Sequence, residues 1–410
     1  MALHFQPLVR RDFDFQEGQY LLLKCPMVSD TEFHPFTISS SPGDMENGPM
    51  ICTETGEEVI PVPRPSSWPE ALRWRKYCPV SKDWRTLKPE DLLDRGDVSY
   101  ADFVSCHIKV HGWDAKEPTT WTRKVKDFLE QVSPVNKATG TKFPMYFYQR
   151  DGRGDISNGR VDGPSGKPLI VVDGPHSAPA QRYRDYNTVM IIGAGIGLTP
   201  CTSILTSLLK YRWKRGFPPE ILHFHWVVRH NEINAYQWVV HLLTELLYDL
   251  KKGKRSNAIA ARYYCEVNIY VTGYKSKEKE EAASAWDSGA VPKERLLRPP
   301  RVYNASDVPP TFSADDLFEM LLKPTVSSKE QTERMMEPKG APNRLQNLWV
   351  WNGRPDWDQT FRKMKEQRQD KDIGVCFCGA PVIGRDLKHM CQKYSSAKEE
   401  CLFSLHKENF

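Results

Sequence analysis

No apolar run in this chain approaches the roughly 18 to 20 residues that a membrane-crossing helix needs. The N-terminus also lacks an apolar signal core followed by a small-residue cleavage site. The stretch is therefore expected to be soluble as it stands. Charge of one sign is scarce: 57 Lys and Arg stand against 52 Asp and Glu, leaving a formal +5 with no long basic arm. That balance suits an anionic cofactor or a membrane face, but it excludes a nucleic-acid partner as the organising function. Cysteine usage is ordinary at ten in 410 residues. The pair Cys376 and Cys378 is too closely spaced for CxxC redox chemistry or a two-ligand zinc knuckle, so no metal site is expected. No internal repeat is present.

What is there reads as globular, with 40% hydrophobic and 11% aromatic residues and enough length for two or three cores. Residues 1–40 carry short alternating apolar runs at Tyr20–Lys24 and Phe36–Ser40, which predict strands of an all-β domain. The periodicity fades from Pro42 to Asp102, a Pro-rich and Trp-dotted stretch that reads as a surface insertion. Strands are expected again at Phe103–Val110, Met145–Tyr148 and Pro168–Val172, with a helix over Thr122–Gln131. The first domain closes near residue 185.

From Asn187 the rhythm changes. Strands at Val189–Ile192, Ile221–Arg229, Val267–Thr272, Leu348–Trp351, Gly374–Cys378 and Leu402–Leu405 alternate with helices, including Ala235–Leu250 and Gly384–Tyr394. This alternation predicts a parallel sheet covered on both faces. Lys275–Gly340 interrupts it as a second insertion, with a short helix at Asp315–Leu322.

The stretch NTVMIIGAGIGLTPCTSILTSLLK at 187–210 is the organising unit. Its order is strand, glycine turn and helix, with Gly193, Gly195 and Gly197 in the turn and Pro200 in the first helical turn. Such a unit brings backbone N–H groups and a positive helix terminus up to a phosphate, where side chains at the glycines would block the approach. An NAD-type site would place an acid about 20 residues beyond the fingerprint. Here the next strand ends in Arg229-His230, a cation that suits a 2′-phosphate.

Beside that unit stand HPFTISSSP at 34–42, VVRH at 227–230, GRPDW at 353–357, CFCGAP at 376–381 and the terminal HKENF at 406–410. In this order they resemble the cytosolic dehydrogenase region of the NADPH oxidase family, within the ferredoxin–NADP reductase superfamily. The resemblance runs from about residue 13 to the end, apart from insertions near 43–101 and 275–340. It implies a β-barrel FAD-binding domain over 1–185, followed by an α/β parallel-sheet NADPH-binding domain over 186–410. Hydride would pass from NADPH to FAD, and electrons onward toward haem and O2 in the parent protein.

The resemblance also implies site residues. His34, Pro35, Phe36 and Thr37 match the flavin motif, with Thr37 able to hydrogen-bond a flavin heteroatom without bringing a charge. Ile108, Lys109 and Val110 match a second flavin strand. Two candidates follow it for a Trp-Thr pair at a helix start. Trp121 and Thr122 are preferred to Trp113-Asp114, because a threonine hydroxyl can cap backbone and phosphate whereas Asp114 would repel the phosphate. Gly174, Pro175 and His176 resemble a turn that passes under the nucleotide, although the family has an aromatic and a glycine where His176 and Ser177 stand. The NADPH site would comprise Gly193, Gly195, Ile196, Gly197, Thr199 and Pro200 with Arg229 and Arg354 on the 2′-phosphate. Cys378, Gly379 and Pro381 would lie by the nicotinamide, and Phe410 would stack on the flavin as a movable lid. Cys378 and Phe410 are the catalytic candidates, with no covalent or acid-base role for the thiol.

The parent implied is a membrane protein with a haem-bearing transmembrane domain on the same chain, this region lying at the cytosolic face. A regulatory domain or subunit could engage the insertions or the basic run at 250–255. Two other readings stand beside this one: a ferric reductase or diaphorase with a non-oxygen acceptor, and an inactive regulatory module of the same fold.

Overall fold

The computed structural model describes residues 1–5, 15–42, 50–52, 58–61, 74–78, 83–87, 98–99, 104–110, 120–132, 170–213, 216–256, 263–274, 313–331, 344–345, 347–367 and 370–408. The chain divides into two compact units, Met1–His176 and Ser177–Phe410.

In the first unit, β1 (Ala2–Phe5), β2 (Tyr20–Lys24) and β3 (His34–Thr37) come first. Leu21 and Leu23 alternate inward along β2, as a half-buried strand requires. Strands β4 (Met50–Cys52), β5 (Glu58–Pro61), β6 (Trp74–Cys78), β7 (Asp83–Leu87) and β8 (Val98–Ser99) form an antiparallel sheet in the order β7-β6-β5-β4-β8. Strands thus occupy a stretch with no strand periodicity in its sequence, because charged and aromatic residues are mixed along β6 and β7 and no simple apolar face is written there. After β9 (Val104–His107) and helix α1 (Trp121–Val132), β10 (Val171–His176) returns to pair with β2.

The arrangement is antiparallel throughout, with β2 between β10 and β3, and β1 paired to β9. The two small sheets are tied where Ser39 N donates to Ser105 O at 2.7 Å and Ser105 N donates to Ser40 Oγ at 3.0 Å. Among the described residues these strands do not close into a barrel, although a barrel was expected. The expected strand at Met145–Tyr148 and the alternative pair Trp113-Asp114 lie outside the described residues.

The second unit holds β11 (Thr188–Ala194), α2 (Thr199–Thr206), β12 (Ile221–Arg229), α3 (Gln237–Ser256), β13 (Tyr264–Thr272), α4 (Ala314–Leu322), β14 (Arg344–Leu345), β15 (Leu348–Asn352), α5 (Trp357–Gln367), β16 (Asp372–Cys378), α6 (Pro381–Tyr394) and β17 (Leu402–Glu408). Six strands run parallel in the order β15-β13-β12-β11-β16-β17, and β14 adds an antiparallel edge. Strand β11 is buried on both faces. Val189 and Ile191 pack into a core with α2, α3 and α4, while Met190 and Ile192 pack into another with α5 and α6. That two-sided burial explains the unbroken apolar run in its sequence. Sequence order reverses at β11, whose neighbours are β12 on one side and β16 on the other. In open α/β sheets such a reversal opens a crevice at the strands' carboxyl ends.

Candidate nucleotide and flavin sites

At that crevice two backbone turns interlock. A Cβ added at Gly197, after β11, would lie 2.4 Å from the Cys378 carbonyl oxygen and 2.8 Å from Gly379 N. One added at Gly379, after β16, would meet Ala194 Cβ at 2.6 Å, and Gly379 has φ +149°. Each turn fills the space that a side chain on the other would need. Gly193 is also closely packed, with Leu198 Cα at 2.9 Å from its virtual Cβ, while Gly195 adopts φ +57°. The turn winds through a short 3-10 segment, Gly195–Leu198, into α2. Pro200 sits in the first turn of α2, and no side chain caps its N-terminus. Thr199 Oγ1 instead donates to Ile196 O at 3.2 Å. The result is a glycine cradle at the start of a helix with no side-chain cap, which is the form an anion site takes.

Arg229 ends β12, and Arg354 follows β15 by two residues. Both are exposed, and both lie at the carboxyl edge that carries the glycine turns. Strand β13 separates β12 from β15, so their backbones stand about 10 Å apart, two strand spacings.

Cys378 and Pro381 flank the second turn, with Pro381 opening α6. The Cys378 thiol is buried, and desolvation, with Glu408 beside it, pushes its pKa up. A thiol held protonated is no nucleophile. Glu408 is a functional candidate that sequence reasoning missed. Parallel pairing of β16 with β17 sets Cys378 opposite Glu408, and Ala180 N donates to Glu408 Oε1 at 3.0 Å. The carboxyl is buried, with the Cys378 thiol beside it. Burial raises the carboxyl to about 7 against the lowering effect of the Ala180 N–H and the Cys378 thiol. A carboxyl that titrates near neutrality thus lies at the crevice. Phe410 lies outside the described residues.

In the first unit β2 carries the candidates on its two flanks. Thr37 pairs across from Tyr20 on one side and His176 pairs across from Tyr20 on the other. The β10 strand bulges between Asp173 and His176, through Gly174 with φ +125° and Pro175, and the His176 ring lies 5.3 Å from Tyr20. Thr37 is buried. The structure also brings His34, Phe36 and Trp121 together: the Trp121 ring centroid is 4.4 Å from His34 and 5.8 Å from Phe36. Trp121 opens α1, but the cap comes from Thr120, whose hydroxyl accepts from Arg123 N at 3.3 Å and touches the Thr122 hydroxyl at 3.1 Å. The cap expected of Thr122 is therefore one residue pair upstream, since Thr120 is the last residue before the helix. Ile108 packs into the core and Val110 is buried, with Lys109 half-buried between them.

Both sites can be tested against the groups they would hold. Trp121 Nε1 and His34 Nε2 are buried polar atoms without a hydrogen bond among the described residues; Glu32 Oε2 is 3.6 Å from the latter. An unsatisfied buried donor such as the Trp121 indole N–H costs free energy unless a ligand completes it. The residues present therefore fit a polar, ring-bearing cofactor in the first unit. In the second, the interlocked glycines and the uncapped helix fit a dinucleotide.

The comparisons with known proteins agree. The Ferric reductase NAD binding domain family matches residues 186–392, half of the chain, and the FAD-binding domain family matches residues 3–56. Fold and family matches thus define a two-unit chain with an FAD-binding domain and an NAD-binding domain built on a parallel sheet. The chain belongs to the ferric reductase NAD-binding domain family. It is 24% identical over 402 residues to a superoxide-generating NADPH oxidase heavy chain of Dictyostelium discoideum, covering 97% of this chain and 50% of that one. It is 23% identical over 418 residues to respiratory burst oxidase homolog protein B of Oryza sativa subsp. japonica, covering 97% and 32%. The chain thus spans half or less of the length of these curated relatives. Among the described residues no helix is long and apolar enough to cross a membrane.

Proposed function

We propose that this chain is the dehydrogenase portion of a superoxide-generating NADPH oxidase, delivering electrons from NADPH through FAD to a haem-bearing membrane domain and O2. The observation that carries this reading is the alignment over 97% of the chain with oxidases about twice its length or more. In the parent, this region would lie at the cytosolic face of a membrane. A second reading, electron delivery to a ferric chelate, is favoured by the family match over 186–392. The two separate on reconstitution with a haem-bearing membrane domain. Superoxide formation that follows NADPH oxidation supports the oxidase, whereas ferric-chelate reduction without superoxide supports the reductase.

FAD, when bound, accepts a hydride as two electrons and releases them singly. The chain's own contribution is placement. Thr37, His34 and Trp121 would hold the cofactor in the first unit, with Lys109 and the Gly174–His176 turn beside it. The glycine cradle and Pro200 would receive the dinucleotide phosphates, and Arg229 and Arg354 would fork onto the 2′-phosphate. The space left by Gly379 beside Cys378 and Pro381 would admit the nicotinamide. Phe410, as the terminal aromatic, would shield the flavin and leave when nicotinamide docks. Hydride transfer needs reactants held about 3 to 3.5 Å apart and no protein nucleophile, which is compatible with the protonated Cys378 thiol.

Two outcomes follow from these roles. Arg229→Ala should raise the KM for NADPH by about ten- to a hundredfold, the worth of a charged hydrogen-bonded contact, and leave NADH kinetics nearly unchanged. Equal loss with both nucleotides would assign the arginine to packing. Thr37 is buried and pairs across from Tyr20. Thr37→Val keeps the shape and removes the hydroxyl, so FAD should bind about three- to tenfold more weakly with the fold intact. Fluorescence titration of apoprotein with FAD measures this, and unchanged affinity would place Thr37 away from the cofactor.

A further inference from the structure

The segment 313–331 lies within the second insertion, near 275–340. Its ties converge on the two loops that bear the arginines. At one end of the sheet edge, His230, the residue after Arg229, shares a hydrogen bond with the Leu322 carbonyl at 2.9 Å. A carbonyl only accepts, so Nε2 carries the proton. The same ring stands edge-on to Tyr274 at 4.9 Å. At the other end, Asn352 N donates to Val326 O at 2.7 Å, and Ser327 bridges Asn352 in parallel register. Ser328 is buried, and its hydroxyl donates to the Arg354 carbonyl oxygen at 2.6 Å. It also occupies the space a side chain at residue 353 would take: a Cβ on Gly353 would lie 2.7 Å from Ser328 Oγ, and Gly353 has φ +116°.

The segment is itself anchored in the unit. Ser313 caps α4 by accepting from Asp316 N, and Leu317 and Leu321 sink into the core shared with α3. Val326 packs with Trp349 and Trp351, and Gln331 Nε2 donates to the buried Tyr270 hydroxyl at 2.9 Å. Thus one element, rooted in the core, holds the His230 side chain next to Arg229 and the backbone at Asn352 and Arg354, while the guanidinium groups stay exposed.

We propose that the segment 313–331 is a brace that preorganises the two arginines for the 2′-phosphate, and that Ser328 is the positioning residue that sets Arg354. This deepens the reading of Arg354 given above and rests on it. A clamp of long flexible side chains loses affinity to the ordering it must undergo on binding, and fixing the backbone beneath it removes part of that loss. The consequence is specific to the nucleotide that carries the phosphate, because NADH makes no demand on either guanidinium.

The experiment is a double-mutant cycle on the FAD-loaded full chain, with kcat/KM for NADPH and NADH as the readout. Ser328→Ala should lower the NADPH-to-NADH ratio by about three- to tenfold, the range for one lost hydrogen bond. In an Arg354→Ala background the same substitution should leave the ratio unmoved, since Ser328 acts only through Arg354. Ser328→Cys keeps the size of the side chain with a much weaker donor and should reproduce the alanine result, which guards against a packing or folding defect. A ratio unchanged by Ser328→Ala and Ser328→Cys, while Arg354→Ala lowers it, overturns the brace and leaves the arginine reading intact. Equal losses with both nucleotides also overturn it, as a general structural role. If Arg354→Ala itself leaves the ratio unmoved, the arginine reading fails and the brace with it.

Discussion

Gly197→Ala is expected to cut NADPH-driven flavin reduction by about a hundredfold or more, while the chain keeps its FAD. The added methyl would sit 2.4 Å from the Cys378 carbonyl oxygen and 2.5 Å from its carbon. Neither partner is a flexible side-chain end, so one backbone must withdraw by about 1 Å, a displacement that typically costs about two orders of magnitude when it misplaces a reacting group. Gly379→Ala should act in the same direction from the opposite turn, because Ala194 blocks its Cβ and φ +149° is unfavourable for an L side chain. Both residues belong to the second compact unit, so FAD content and chemical reduction of the flavin by dithionite should persist. Loss of FAD together with NADPH turnover would mean that the damage is global and that the interlocked turns are not a separate dinucleotide cradle.

Glu408→Gln should abolish a pH dependence that the wild-type chain shows near neutrality. The carboxyl has an ordinary value of 4.5 and a folded value of about 7, raised chiefly by burial. Between those values the folded chain holds a proton that the unfolded chain has released. Stability therefore falls as pH rises from 4.5 to about 7 and stays lower above it. At about 1.4 kcal/mol per unit, the contribution is on the order of 3 kcal/mol, and glutamine removes it. Urea midpoints should thus show the variant gaining on wild type as pH rises, with a flatter profile across this window. Chemistry should respond in the other sense. If nicotinamide docks by Cys378, an ionised Glu408 carboxylate there would favour the positive charge that the ring gains on losing hydride. Wild-type hydride transfer should therefore quicken as pH passes about 7, while Glu408→Gln should be slower by roughly tenfold or more and flat with pH. Parallel pH profiles for the two proteins, in stability and in rate, would remove Glu408 from the site.

Much of the second unit was legible because its strands are buried on both faces and therefore write continuous apolar runs. The expected strand at Ile221–Arg229 has the bounds observed for β12, and Tyr20–Lys24 has those of β2. The helix α5 was missed although Trp357, Thr360, Phe361 and Met364 recur at helical spacing and are buried. Its other positions are so polar that the short motif before it drew the reading instead. Glu408 was hidden by a boundary. The last strand was expected to end at Leu405, but parallel pairing carries β17 on to Glu408 and draws that carboxylate inward. The interlocking of Gly197 with Gly379 could not be read from spacing, since it depends on β16 lying next to β11 across about 180 residues of chain. Nor does sequence show that 313–331 folds back on the arginine loops, because hydrogen bonds to the Leu322 and Arg354 carbonyls leave no residue signature.

The most direct test of the account is anaerobic rapid mixing of the FAD-loaded chain with NADPH or NADH, followed by flavin absorbance. The account predicts that NADPH bleaches the bound flavin in a single turnover and does so at far lower concentration than NADH, because only NADPH carries the phosphate that Arg229 and Arg354 would engage. A chain that binds FAD but leaves it oxidised with both nucleotides, although dithionite reduces it, would contradict hydride transfer as the function of these two units.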